Sequence, residues 1–404
     1  DSVDLVEDLV DASLVTATED LDGEPRFEML ETVRAVALEA LTEADELEAA
    51  RSAHATHFAG VTERLDWYAI WATREHRLRG NRLFDQELNN FREALAWATS
   101  PQTRLAAGTA DRPALGLALL ARAASEIWLE FNPAECRYWL EAILNDPDPE
   151  PSIDRGTCMY SYANVLAAQG DPSRGLEVAE RSVAILRKLD AREELAWALK
   201  TVADLSAMLG EHETSRQMCQ EVLSLARALG NNFIVGNALR SLAELDADER
   251  NYDEALRLLE EAHQSFEEGG WHYLPNLDFY IASVLRKIGH AEQALHLMST
   301  QLQQEARAFT PVNLLIHSED YAAALADAGY APFTPLLLAA CDSECRRLGY
   351  RRLTREKRII ADARKASEAA LTPTEWAAAY ARGQGITVVD AVNEALAFTT
   401  GLRI

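Results

Sequence analysis

Apolar and small residues recur at helical spacing through the middle of the chain, and turns interrupt them about every 40 residues. The turns begin at Gly170, Gly210, Arg250, Gly289 and Gly329. Alanine lies seven positions before each turn, and a small or slim residue lies five positions after it. Antiparallel helices approach closely only where side chains are short, and glycine's conformational freedom suits the turn between them. The pattern therefore predicts a series of helix pairs.

Each predicted helix is apolar along one side. In the helix after Gly170, Leu176, Ala179, Val183 and Leu186 lie at i, i+3, i+7 and i+10, which forms one stripe. One helix pair cannot bury such a stripe alone, so neighbouring pairs must stack. We therefore predict an all-α fold, a right-handed superhelical solenoid of about six helix pairs of roughly 40 residues each.

The sixth pair is less regular and precedes the other five. The segments WLEFN at 128–132 and WLEA at 139–142 flank a turn at Asn132. The proline-rich acidic stretch 146–151 cannot be helix interior, so it separates this pair from the next. Residues 100–113 contain Pro, Gly and Thr and predict a surface loop.

The two ends of the chain depart from the repeat. Residues 9–15, the dipeptide Asp22-Gly23 and residues 27–41 predict the end of a helix, a short hairpin and a second helix, which is the order of a small winged-helix remnant. We therefore divide the chain into a winged-helix-like segment (1–45), a helical linker region (46–112), the solenoid (113–350) and a C-terminal helical cap (351–404).

Composition excludes several functional classes. A formal net charge of −26 argues against direct nucleic-acid binding by the acidic body. Five cysteines without a C-x-x-C pair are typical of a reduced, cytoplasmic protein, and no apolar run approaches the roughly 20 residues of a membrane helix. No metal-ligand set and no Ser-His-Asp or Cys-His arrangement can be assembled, so we expect no enzymatic chemistry in this chain.

The repeats resemble the tetratricopeptide repeat (TPR), most closely at NYDEAL, residues 251–256. The wider chain resembles the region after the nucleotide-binding module in actinobacterial signal-transduction ATPases (STAND, or NB-ARC, proteins). These are transcription regulators of the LuxR type related to MalT, or antibiotic regulators related to AfsR. The resemblance rests on LVDASL (9–14), RFEMLETVRAVA (26–37), QELNNFREALAWA (86–98) and LTPTEWAAAYARG (371–383).

That resemblance implies a sensor region whose ATPase and DNA-binding modules lie elsewhere in a longer protein. The chain has no Gly-Lys dipeptide and therefore no P-loop, and it has no G-x-G-x-x-G motif. We expect no cofactor here. ATP or ADP with Mg is expected only in the N-terminal module that this sequence lacks.

The resemblance to TPR arrays also implies a concave groove lined by the first helix of each pair. Asn side chains can hold a peptide backbone, and Arg or Lys can pair with carboxylates, although a solvated face would also be polar. The predicted groove residues are Tyr160, Asn164, Trp197, Lys200, Asp204, Asn237, Arg240, Glu244, Asn276, Phe279, Ser283 and Arg286.

A second candidate is a basic cluster that stands out in so acidic a chain. It could dock another domain or nearby DNA, or it could be a solvated helix face that pairs with the acidic body. Its members are Arg346, Arg347, Arg351, Arg352, Arg355, Lys357 and Arg358.

Two functional hypotheses follow. In the first, the chain is the region of a multidomain ATPase-type regulator that senses a peptide, protein or small molecule in its groove and contacts its own nucleotide-binding and DNA-binding domains. In the second, it is a stand-alone peptide receptor or protein–protein adaptor. A third possibility, a scaffold that regulates a kinase or cyclase domain, is left open by the sequence.

Overall fold

The computed structural model describes residues 2–19, 25–64, 72–100, 112–121, 123–145, 150–272, 275–305 and 309–399. The chain folds into two compact units, residues 1–58 and 59–404. The finer four-part division stays a prediction. Among the described residues, no helix is long and apolar enough to cross a membrane.

The first unit contains a helix, a hairpin and a helix, in the order that the sequence predicted. Its elements are α1 (Ser2–Asp11), β1 (Val15–Glu19), β2 (Pro25–Met29) and α2 (Glu31–Glu43), and α3 (Leu47–Arg64) crosses the boundary between the units. The two strands pair antiparallel, with Val15 opposite Met29. Asp22 and Gly23, where the turn was predicted, lie outside the described residues.

The second unit opens with four less regular helices: α4 (Arg74–Thr99), α5 (Arg112–Leu120), α6 (Ala123–Phe131) and α7 (Pro133–Leu144). The predicted pair around Asn132 is α6 with α7, and the Asn132 side chain accepts a hydrogen bond from the backbone N–H of Glu135. Most of the predicted loops fall on residues 101–111 and 146–149, outside the described ranges. Pro113 belongs to the first turn of α5, where proline is tolerated.

Five regular helix pairs follow. They are α8 (Ile153–Ala168) with α9 (Pro172–Lys188), α10 (Arg192–Met208) with α11 (His212–Leu229), α12 (Asn232–Asp248) with α13 (Tyr252–Glu268), α14 (Pro275–Lys287) with α15 (Ala291–Glu305), and α16 (Pro311–Asp327) with α17 (Phe333–Leu348). The protein is predominantly helical, as predicted.

The turns within these five pairs lie at the residues that the repeat predicted. All five turn residues adopt positive φ, and the only one that is not glycine, Arg250, has φ of 67°. The small residues also lie where helices touch. A Cβ on Gly175 would lie 2.9 Å from the Ala163 carbonyl oxygen, and the Thr334 hydroxyl donates to the Ala322 carbonyl at 3.0 Å.

The C-terminal residues form α18 (Thr354–Ala370), α19 (Pro373–Gly383) and α20 (Val388–Thr399). Helix α18 packs along α16, whereas α19 and α20 pack on α17. Gly383 permits the close contact of α19, because a Cβ there would overlap the Leu336 carbonyl oxygen. In α17, Cys341 and Cys345 are free and buried.

Candidate ligand-binding groove

The first helices of the regular pairs form a continuous layer. Helices α8, α10, α12, α14 and α16 contact one another in succession, and each second helix packs against the first helix of its own pair. The predicted groove residues all lie on these first helices. The side chain of Asn276 lies outside the described part of the structure.

The part of the groove on α8, α10 and α12 is partly exposed. Tyr160, Asn164, Trp197 and Asn237 are all half-buried. The Trp197 ring lies 6.1 Å from that of Phe233, centroid to centroid, and the Asn237 amide donates to the Phe233 carbonyl at 3.0 Å. We call this surface the open half of the groove.

Paired charges lie in the middle of the groove. Lys200 Nζ lies 2.6 Å from Asp204 Oδ2, and the Ser241 hydroxyl donates to Asp204 Oδ1 at 2.9 Å. Burial alone would raise the pKa of the Asp204 carboxyl, but Lys200, Arg240 and these hydrogen bonds outweigh it and hold that pKa below its usual value. Arg240 donates to Glu244 one helical turn along α12.

The part of the groove on α14 and α16 is covered. Phe279 and Ser283 are 2% and 5% exposed, and Arg286 donates to Asp327 at 2.6 Å. The Phe279 ring stacks on His317, with 4.0 Å between the ring centroids. Burial lowers the pKa of His317 to about 3, so this imidazole is neutral at physiological pH. We call this surface the closed half of the groove.

Part of the basic cluster covers the closed half. Arg352 donates to Glu319 at 2.6 Å and also to Asp342. Arg358 donates to Asp248 at 3.2 Å. Half-buried Arg352 and exposed Arg358 therefore both pair with carboxylates of the acidic body.

The remaining members of the cluster differ in their surroundings. Arg355 lies 3.5 Å from Asp320. The backbone N–H of Arg351 donates to the Ala168 carbonyl at 2.8 Å. Arg346, Arg347 and Lys357 are exposed on the outer surface, where Arg346 donates to Ser343 and Arg347 donates to Glu344.

Sequence reasoning missed two groove residues, Tyr280 and Glu319. Glu319 lies ten positions before the turn at Gly329, in the same phase as Tyr160 and Arg240, so the repeat contained the signal. Tyr280 lies one residue after Phe279 and outside that phase. Only the packing of α18 against α16 brings it beside Arg355.

Comparisons with known proteins agree with this architecture. A family model described as a tetratricopeptide repeat matches residues 194–268, which span α10 to α13. No curated protein matches the chain in a sequence search. A solved Rap protein complexed with competence and sporulation factor is 13% identical and has a TM-score of 0.50, and the match covers 87% of this chain and 99% of that one. The chain is a TPR-like solenoid.

Two further solved structures are similar at lower scores. Aspartyl phosphate phosphatase F from Bacillus subtilis is 12% identical with a TM-score of 0.44, over 80% of this chain and 95% of that one. The Rap conjugation gene regulator of the plasmid pLS20, in complex with the Phr* peptide, is 13% identical with a TM-score of 0.46, over 80% and 97% of the two chains. At such identities the likeness concerns the fold alone.

Proposed function

We propose that this chain is a non-catalytic sensing region that binds a peptide or protein segment in the open half of its groove. The observation that carries the proposal is the row of half-buried Tyr160, Asn164, Trp197 and Asn237 on three successive first helices. Aromatic rings supply contact area at low entropic cost, and amides can pair with a peptide backbone. A Rap protein of the same fold was solved with a bound factor. This supports the proposed binding role by analogy of fold only.

The groove offers polar groups that are already positioned. Lys200, Asp204 and Ser241 hold one another in place, so a ligand that pairs with them pays little for ordering side chains. Swinging a two-state regulator from mostly off to mostly on requires a preference of about 5.5 kcal/mol for one state. Charge-assisted hydrogen bonds of about 1.5–3 kcal/mol each could supply that in a small number of contacts.

We further propose that the sensing region acts within a multidomain transcription regulator. Its ligand would change how the solenoid docks on a nucleotide-binding module, and that module would control a DNA-binding domain. The motif resemblance of residues 9–14, 26–37, 86–98 and 371–383 supports this context. A stand-alone peptide receptor or adaptor is the alternative. The coding sequence upstream of Asp1 decides between them, because a P-loop there fits only the regulator.

Selection from a phage library of random twelve-residue peptides on the whole chain tests the groove assignment. We expect the double variant Asn164→Leu with Asn237→Leu to lose at least tenfold in affinity for selected peptides by calorimetry. We also expect Lys200→Ala with Arg240→Ala to abolish binding while far-UV circular dichroism stays unchanged. Gln217→Leu, on the exposed face of α11, is the matched control. Selected peptides that bind the Asn164/Asn237 variant as tightly as the wild type would place the site elsewhere.

A further inference from the structure

Two guanidinium groups from different parts of the chain meet at Tyr280 in the middle of the groove. The Arg240 guanidinium carbon lies 4.8 Å from the Tyr280 ring centroid, and the Arg355 guanidinium carbon lies 5.1 Å from it. Tyr280 belongs to α14 and Arg240 to α12, whereas Arg355 comes from α18, outside the repeats. Both cation–π contacts fix the planes of the side chains against one ring.

All three side chains retain hydrogen-bond donors. A guanidinium has five N–H donors, yet within the described part of the chain Arg240 donates only to Glu244 and Arg355 pairs only with Asp320, at 3.5 Å. The Tyr280 hydroxyl makes no hydrogen bond to any described residue. Burial raises the pKa of that hydroxyl to about 12, so it remains a donor at physiological pH. Arg240 and Arg355 are 17% and 28% exposed in their side chains, so a ligand in the groove can reach them.

An anionic group of a ligand would exchange with carboxylates of the chain at this point. Burial alone would lower the pKa values of both guanidinium groups, but neighbouring groups, among them Glu244 beside both, Asp204 beside Arg240 and Asp320 beside Arg355, raise them. The carboxylates present do not occupy the donors fully. Asp320 is buried on α16, and Glu244 is 32% exposed at i+4 from Arg240, so its side chain can turn to solvent when another anion arrives.

We infer that Arg240, Arg355 and Tyr280 form a subsite that takes a carboxylate of the ligand in the groove, either an acidic side chain or a free C-terminus. The inference rests on the proposed function and specifies its ligand. Two guanidinium groups offer donors alone and the tyrosine hydroxyl adds a further donor, which favours a planar carboxylate over an amide or a cation. Because Arg355 belongs to α18, a ligand bound here would contact both the repeats and the helix that packs on them.

Small probes test the subsite without any peptide. Glutarate, its neutral diamide glutaramide and inorganic phosphate are titrated into the whole chain at constant ionic strength, and the arginine Nε–H signals are followed by NMR. We expect glutarate to shift the signals of Arg240 and Arg355 saturably, glutaramide to shift neither, and phosphate to bind more weakly than glutarate. Equal binding of glutaramide, or tighter binding of phosphate, would overturn the carboxylate assignment.

Variants then locate the site. Arg355→Gln and Tyr280→Phe should each weaken glutarate binding at least fivefold. If Arg355→Gln does not fold, the affinity of Tyr280→Phe for glutarate alone tests the subsite. The control is Arg364→Gln, on the same helix with its guanidinium 4.6 Å from the Trp376 ring centroid, which should bind like the wild type. Wild-type affinity in Tyr280→Phe would refute the subsite. If glutarate binds but the phage library yields no binding peptide, the proposed ligand class is refuted and the subsite is not.

Discussion

The open and closed halves of the groove occupy the same repeat positions and have different surroundings. Six residues before each turn, Asn164 is half-buried and Asp204 and Glu244 each have 32% of the side chain exposed, whereas Ser283 is 5% exposed and Ala323 is fully buried. The repeat therefore determines which side chains point inward. Whether solvent or a ligand can reach them depends on a segment outside the repeat.

That segment is the N-terminal part of α18. Ile359 and Ala363 pack with Ala323 of α16 in a small apolar cluster. Arg355 and Arg358 extend from the same helix to carboxylates on α16 and α12. A long polar row in a repeat array is therefore a candidate surface, and only part of it need be available for binding.

The largest expected effect comes from removing a cation from the closed half. Arg352→Ala leaves Glu319, whose side chain is 2% exposed, without its partner, and an uncompensated buried charge costs about 3–5 kcal/mol. Chemical denaturation at pH 9, where Glu319 of the wild type is ionised, measures the loss. Arg347→Ala removes an exposed pair with Glu344 and should cost less than about 1 kcal/mol. Equal losses in the two variants would contradict the distinction between buried and exposed pairs.

The second prediction compares two aromatic residues at one repeat position, ten residues before the turn. Phe279→Ala should cost about 3–5 kcal/mol because it opens a cavity beside His317, whereas half-buried Tyr160→Ala should cost about 2–3 kcal/mol less. The free energy of unfolding in urea measures both. Similar values would show that the two halves of the groove are equally packed.

The third prediction concerns pH. Burial raises the pKa of the Glu319 carboxyl from 4.5 to about 8, although Arg352 opposes the shift. The folded chain therefore keeps a proton that the unfolded chain loses, and this contribution to stability disappears as pH rises through about 8. Between pH 6.5 and 9 the wild type should lose on the order of 2 kcal/mol more than Glu319→Gln, because pH 6.5 lies about 1.5 units below the folded pKa.

The range from pH 6.5 to 9 avoids the titration of His317, whose effect on stability changes with pH in the opposite direction. His317 has a lowered pKa, so its contribution to stability is lost as pH falls below 6.5. Burial also raises the pKa values of Asp320 and Glu356 beside Glu319, so the substitution reduces the pH dependence without abolishing it. A Glu319→Gln profile that is parallel to the wild type would show that Glu319 does not titrate in this range.

The smallest expected effect is in the open half. Asn164→Ala and Asn237→Ala remove half-buried amides and should each change the free energy of unfolding by no more than about 0.5 kcal/mol. Thermal and urea unfolding measure the change. A loss above about 2 kcal/mol in either variant would indicate a structural role and weaken the interpretation of this surface as a binding site.

Much of the fold was predictable because it depends on local spacing. The turn at Arg250 was placed correctly without a glycine, since the flanking helices have the same phase as in the other pairs. The hairpin strands at 15–19 and 25–29 were also predictable from the residues around Asp22-Gly23. The helical content and the inward-facing positions thus follow from residues within about 40 positions of one another.

The candidate site was predictable only in part. The groove row was found by phase and the basic cluster by composition, but they were treated as separate sites. Their meeting depends on contacts between distant segments, such as Arg358 with Asp248, 110 residues apart. No local pattern specifies such pairings, because several acidic surfaces on this chain could have received the same arginines.

Spacing within one repeat is enough to predict the helix pairs and their phase, because small residues and turns act over about 40 positions. That α18 lies along α16 and places Arg355 beside Tyr280 follows from long-range contacts alone. The physical reason is that these contacts join distant segments through buried charge and packing, and the free energy of such contacts depends on the three-dimensional neighbours of each residue rather than on its position in the repeat.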